Sequence, residues 1–247
     1  YFATSIIAVG GYAINDVFDI EIDKINAPHR PIPSGLLTLN QAKAYSITLF
    51  IIGVTLALLI DIPACLIAFT GGFLLYLYAA YFKRSGFVGN IMIGLLTAIP
   101  FIFGGFLTNS YETMIYPATF AFFLIVGREI IKDIEDVHGD KIEDVQSIAL
   151  RYGVKTARNL GLLILIVLVV ISPIPILLGY YKTPIFIVLL VVIDCVILFA
   201  GFLLLNRSED EIIRNSTHSK KLLKSCITIG ILAFLFEGII KLYEFLV

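Results

Sequence analysis

Seven apolar runs, each close to the length that crosses a bilayer, follow one another along this chain at residues 42–60, 63–81, 90–107, 114–131, 159–178, 184–205 and 225–247. A transmembrane helix needs about 20 apolar residues to span a hydrocarbon core about 30 Å thick, and irregular backbone facing lipid is not tolerated there. The expected fold is therefore all-α: a polytopic transmembrane helix bundle, with residues 1–247 forming a single membrane-embedded domain. Composition agrees, because only 15% of the residues are charged, where a soluble domain carries about a quarter. That excludes a water-soluble globular enzyme, a disordered chain and a disulfide scaffold. An eighth apolar run opens the sequence from Tyr1 to Ile14. At 1.5 Å per residue it covers about 21 Å, and it reads as the tail of a span that begins earlier. With neither a basic n-region nor an A-x-A site, it is not read as a signal peptide. The net charge of −1 gives no pull toward nucleic acid, and none is expected as a partner. Cys65, Cys195 and Cys226 lie far apart in apolar runs and read as buried structural thiols. With no Trp in the chain, any interfacial belt falls to its 12 Tyr.

The connections between runs are of two kinds. Short ones surround Asp61, residues 108–113 and residues 179–183; long polar ones cover residues 15–41, 82–89, 128–158 and 206–224. Of the 18 Lys and Arg residues, 15 fall in the long connections and Lys43 lies two residues past the first of them; only Lys182 and Lys241 lie elsewhere. Threading the spans in order puts all four long connections on one side, and the positive-inside rule makes that side cytoplasmic. The expectation is a multi-pass cell-membrane protein whose site faces the cytoplasm. Pro100, Pro117, Pro173 and Pro175 lie inside apolar runs and are expected to kink helices.

Two of the long connections carry the same acidic spacing. Asp16, Asp19 and Asp23 form D-x-x-D-x-x-x-D, and Asp133, Asp136 and Asp140 repeat it 117 residues later. On a helix turning about 100° per residue, offsets of 3 and 7 fall within about 60° of the start, so each motif places three carboxylates on one stripe where a span emerges. Like charges so close repel. Hard divalent cations with oxygen ligands offset that repulsion, and Mg²⁺ typically bridges carboxylates to substrate phosphates while keeping several waters. Two facing stripes are expected to hold Mg²⁺ around one diphosphate. Loop solvation explains one such motif about as well, but two with identical spacing far less well.

Basic residues group around these motifs. Arg30 sits in the Pro28–Gly35 segment, where three prolines stiffen the loop; Lys83 and Arg84 close the second full span beside Tyr78 and Tyr81; Asn90 opens the next span; Arg128 and Lys132 head the second motif. Cations clamp diphosphate oxygens and stabilise charge on a leaving group, although any single one could be a snorkelling interface residue. The substrate implied has a diphosphate at the membrane surface and a tail in the bilayer. If that tail is allylic, loss of diphosphate generates carbocation character, which the faces of some of the 19 Phe and 12 Tyr could stabilise and shield from water.

Asn15 through Asp23 resembles the N-D-x-x-D-x-x-x-D motif of the UbiA superfamily of intramembrane prenyltransferases. Arg30-Pro31-x-Pro33-Ser34-Gly35 resembles the segment that comes after that motif in the family, and Asp133, Asp136 and Asp140 resemble the second aspartate-rich motif. The resemblance covers essentially the whole chain. It implies a bundle of nine helices around a central cavity, of which eight, the first cut short, are counted here, with motif-bearing caps at 15–41 and 128–158. It implies magnesium roles for Asn15, Asp16, Asp19 and Asp23 and for Asp133, Asp136 and Asp140. Asp19, Asp23, Asp136, Asp140 and Lys83 are then the catalytic set. Asn15, Arg30, Lys83, Arg84, Tyr78, Tyr81, Asn90, Arg128 and Lys132 are the substrate-binding set. The family pattern places a tyrosine four residues before the lysine, where this chain has Ala79; Tyr78 and Tyr81 are the substitutes to consider.

Within the family, Gly127–Asp136 is most similar to the branch that prenylates geranylgeranylglyceryl phosphate in archaeal ether-lipid synthesis. The implied partners are a prenyl diphosphate donor, a lipid acceptor and the bilayer, with no obligate protein partner. Arg128, Lys132, Arg151 and Lys220 are the cations available for the acceptor's phosphate. A quinone or haem prenyltransferase is the runner-up. An ion-coupled transporter is the reading from another class, with Asp194 and Glu237 as mid-span acids. It fits less well, because transporters bind substrate near the midplane rather than at a surface.

Overall fold

The computed structural model describes residues 2–137 and 146–246. Asp140 and the rest of residues 138–145 in the second cap lie outside these described residues. The described chain forms helices α1 (Phe2–Phe18), α2 (Ile20–Asn26), α3 (Leu39–Leu58), α4 (Ile62–Leu77), α5 (Phe87–Leu107), α6 (Tyr111–Glu135), α7 (Ile148–Tyr152), α8 (Val154–Ile171), α9 (Ile174–Leu177), α10 (Pro184–Phe202) and α11 (Glu209–Leu246). A π-helical turn, Tyr78–Phe82, extends α4. Among the described residues, seven helical segments are long and apolar enough to cross a membrane, and α1 is a shorter apolar helix. The protein is a multi-pass membrane protein of the expected all-α class.

Local chemistry sets many of the boundaries. Thr38 and Gln41 close a reciprocal capping box at the start of α3. Asp61 accepts from the Ala64 N–H at 2.7 Å to start α4, with Pro63 in its first turn. Thr183 and Pro184 open α10 in the same way. Pro100 and Pro117 lie within continuous helices, whereas Pro173 separates α8 from α9. Of the three thiols only Cys226 is buried, and Cys195 faces outward.

Packing divides the bundle into two groups. Helices α1, α3 and α4 share small cores, one built on Ile7, Ala57 and Ala64 with Phe103 of α5, the other on Ile14, Val17, Ala42 and Ala79. Helices α6, α8, α10 and α11 share a larger one through Leu124, Ile130, Leu165, Ile193 and Leu223. Helix α5 joins the groups through its contacts with α4 and α6. Large apolar side chains left outward, such as Ile51, Leu66, Val170 and Phe202, are solvated by lipid in a membrane.

The fold corrects one sequence expectation. Residues 206–224 are not a polar connection, because α11 already begins at Glu209. Its first turns pack through Ile212, Ser216, Ser219 and Leu223, all buried at helical spacing. Among the described residues of the second cap, α6 runs on to Glu135, so Asp133 is helical and Asp136 caps the helix; α7 follows at Ile148–Tyr152 and α8 begins at Val154. The long connections nevertheless meet at one end. Arg158 donates to the Asn206 carbonyl at 2.8 Å, and Thr217 donates to Glu135 at 3.1 Å. The short connections meet at the other end, where Tyr181 donates to the Thr113 carbonyl at 2.7 Å.

Candidate active site at the two aspartate motifs

The first motif straddles the end of α1. Asp19 is the junction between α1 and α2, yet the helical bonding pattern runs through it: its N–H donates to Asn15 and that of Asp23 donates to Asp19, at 2.9 and 2.8 Å. The stripe expected from the spacing therefore survives the break. Asp19 and Asp23 are each only 6% exposed, and a buried carboxylate needs compensation. Asp19 pairs with Lys83 and accepts from the Asn15 amide at 2.8 Å. Asp23 and Asp16 share the Arg30 guanidinium, at 2.7 and 3.1 Å. Turns closed by Ser34 N–H to Arg30 and Leu37 N–H to Pro31 hold the proline segment that delivers Arg30. The bond to Asp23 fixes that guanidinium still more firmly in its charged form.

The Lys83 position depends on the π-turn. Its N–H bonds the Tyr78 carbonyl at 2.8 Å, five residues back, rather than residue 79. Tyr78 therefore occupies the place one turn before Lys83 that an α-helix would give to Ala79. Ala79 points instead into the core against Ile14, Val17 and Ala42. Tyr78 lies within electrostatic reach of Asp19 of the first motif and of Glu129, Lys132 and Asp133 on α6. Tyr81 is exposed and lines a 150 Å³ cavity with Phe18, Asp19, Lys83 and Arg84.

Beyond Lys83 the chain turns sharply at Gly86, with φ at +63°. This is a region that L-residues avoid. A Cβ there would lie 1.9 Å from the Gln146 carbonyl oxygen, so only glycine admits this approach. The contact is closed by the Gln146 N–H donating to the Arg84 carbonyl at 3.0 Å. One turn into α5, the Asn90 amide donates to Asp133 at 2.8 Å. The segment from Lys83 to Asn90 thus touches Asp19 of the first motif and Asp133 of the second.

The second motif is more divided. Asp133 meets Asn90, and Asp136 pairs with Lys132 at 3.2 Å. Arg128 pairs with Glu129, and Lys220 pairs with Glu135. Sequence reasoning does not single out Glu129 and Glu135, because they fall outside the repeated aspartate spacing. Lys83, Arg30 and Lys132 each pair with a carboxylate of the motifs and so offset part of the repulsion between them. Among the described residues, no three acidic, Cys or His side chains converge closely enough to hold an ion unaided. The donors are hard carboxylate and amide oxygens, the class Mg²⁺ prefers. Mg²⁺ takes few protein ligands and completes its shell with water and phosphate oxygens. The residues fit an ion shared with a diphosphate rather than one enclosed in a dedicated protein cage.

The mid-span acids have structural partners at the far end of the bundle. Asp194 accepts from the Ser172 hydroxyl at 2.6 Å. Glu237, 1% exposed, accepts from the N–H groups of Lys182 and Thr183 at 3.1 and 3.2 Å, capping the entry to α10.

Residues 1–220 match the model of the UbiA prenyltransferase family. Digeranylgeranylglyceryl phosphate synthase of Saccharolobus solfataricus is 40% identical over 93% of this chain and 80% of its own length. The protein of the same name from Methanocaldococcus jannaschii is 38% identical over 98% of this chain and 83% of its own. A solved structure of a digeranylgeranylglyceryl phosphate synthase, 36% identical, superposes with a TM-score of 0.82 over 96% of this chain and 84% of that one. A UbiA homologue from Archaeoglobus fulgidus, solved with GPP and Mg²⁺, shares the fold at 17% identity, with a TM-score of 0.65 over 94% of this chain and 85% of that one. The chain belongs to the UbiA prenyltransferase family and is a prenyltransferase.

Proposed function

We propose that the chain transfers a geranylgeranyl group from its diphosphate to geranylgeranylglyceryl phosphate, with Mg²⁺, at the cytoplasmic face of the membrane, as one domain with no obligate protein partner. The observation that carries this reading is the Lys83–Asn90 segment, which bonds one aspartate motif at each end. The two motifs then act on one substrate diphosphate. Asn15, Asp16, Asp19, Asp23, Asp133, Asp136 and Asp140 are the residues that would hold Mg²⁺. When bound, it neutralises diphosphate and makes it a better leaving group.

The chain's own groups do the rest. Lys83, Arg84 and Arg30 bind the diphosphate oxygens and stabilise the charge that grows there as the C–O bond of the donor breaks. Tyr78, within electrostatic reach of both motifs, would face the reacting end of the donor. The acceptor hydroxyl attacks the allylic carbon and loses its proton, while the diphosphate leaves with the bonding electrons. The apolar bundle excludes water, which would otherwise capture the cationic carbon. The relatives' names support the phosphorylated glycerol lipid as acceptor.

The test is diphosphate release from geranylgeranyl diphosphate by the purified chain, offered geranylgeranylglyceryl phosphate and 4-hydroxybenzoate in parallel. Turnover is expected with the glycerol lipid alone. Prenylation of 4-hydroxybenzoate with no use of the glycerol lipid would overturn the acceptor while leaving the family intact.

A further inference from the structure

A 610 Å³ groove opens between α3 and α4, floored by Ile14 and Phe18 of α1 and walled by Ile51, Val54, Phe69 and Phe73. This volume lies within the range of small-molecule sites. Ile51, Phe69 and Phe73 are more than half exposed, so the groove opens toward lipid. From Lys43 to Thr55 it follows α3 for twelve residues, about 18 Å into the bilayer.

Two features distinguish it from an ordinary crevice between helices. Its wall at the motif end is shared: Phe18 lines both this groove and the cavity of Asp19, Lys83 and Arg84. Its one formal charge is Lys43, at the same end, since neighbouring Ala42 packs beside Val17 and Ala79. Lys43 makes no ion pair or hydrogen bond among the described residues. By contrast, three cations expected to meet the acceptor phosphate are already paired: Arg128 with Glu129, Lys132 with Asp136 and Lys220 with Glu135.

We propose that this groove holds the isoprenoid tail of the phosphorylated lipid acceptor, with the phosphate on Lys43 and the glycerol end directed past Phe18 to the diphosphate cavity. The inference rests on the acceptor assigned above and adds where that acceptor binds. A free cation at the mouth and an unbroken apolar trough behind it match an anionic head on a hydrocarbon tail. Phe18, held edge-on to Tyr76 with centroids 5.8 Å apart, is the partition between tail and reacting centre.

Because the chain contains no Trp, Phe73→Trp places a single tryptophan in the groove, and Tyr76→Trp serves if that variant does not fold. Its fluorescence is titrated in detergent with geranylgeranylglyceryl phosphate, with the dephosphorylated lipid and with a straight-chain phosphatidic acid. The expected result is a saturable change with the first lipid. Binding should be about tenfold weaker for the dephosphorylated lipid and in the Lys43→Gln background, the scale of one charge-assisted hydrogen bond. In turnover, Val54→Trp should raise the acceptor KM about tenfold while moving the donor KM less than about twofold. No fluorescence change, an equal response to phosphatidic acid, or an unaltered acceptor KM in Val54→Trp would each overturn the proposal. Failure of the wild-type chain to use this acceptor would instead refute the functional reading, and the fluorescence titration still decides the groove.

Discussion

Replacing Gly86 by alanine should silence the enzyme without unfolding it. The added Cβ would lie 1.9 Å from the Gln146 oxygen, where real Cβ contacts essentially never fall below 3.0 Å, so the two segments must separate by about 1.1 Å. The φ of +63° adds a strained conformation of about 1–3 kcal/mol. Loss of the Gln146 N–H bond to Arg84 adds about 0.5–1.5 kcal/mol. Together these lower stability by roughly 2–4 kcal/mol, which thermal unfolding in detergent would read as a lowered midpoint. Activity should fall further. Lys83 lies three residues before Gly86, and a displacement of about 1 Å in a positioned catalytic group can cost about a hundredfold in rate. Gly153→Ala is the control: Gly153 also has positive φ, at +89°, but an added Cβ meets nothing within 4 Å. It should lose stability and keep its rate within about threefold. Near-normal turnover in Gly86→Ala, or an equal loss in Gly153→Ala, would refute the argument that this turn positions Lys83.

Tyr78→Phe should lower kcat by roughly ten- to a hundredfold, the value of a hydrogen bond to a charged group. Ala79→Tyr should restore nothing and cost about 1–3 kcal/mol by overpacking, because Ala79 is buried against Ile14 and Val17; parallel kinetics and thermal melts separate the two. Glu237→Ala should leave the N–H groups of Lys182 and Thr183 unpaired, at about 1–3 kcal/mol each. Its melting midpoint should drop while the KM values for donor and acceptor stay unchanged, and altered substrate kinetics would contradict a purely structural role.

Much of this architecture was legible because bilayer thickness converts directly into run length. The seven apolar runs correspond to spanning segments in the structure, with boundaries shifted by capping residues such as Thr38 and Asp61. The start of α11 was not legible: its buried face uses Ser216 and Ser219, which a search for apolar runs passes over. Nor was the π-turn, which exchanges the roles that α-helical counting assigns to Tyr78 and Ala79. The repeated aspartate spacing located both motifs. It could not show that Lys83, Arg30 and Lys132 pair with carboxylates of these motifs, because the pairings run between segments distant in sequence or depend on side-chain direction.

On the function proposed above, the two motifs form one Mg²⁺-dependent site for a single diphosphate. A double-mutant cycle on Asp19→Asn and Asp136→Asn, read as diphosphate release across a Mg²⁺ titration, tests it most directly. Groups that act as a unit are strongly non-additive. Each single variant should lose roughly three orders of magnitude, on the scale of other electrostatic catalytic groups. The double variant should lose scarcely more than the worse single, with all three folded by thermal melt. Losses that multiply, or near-normal turnover in either single variant, would contradict a shared site.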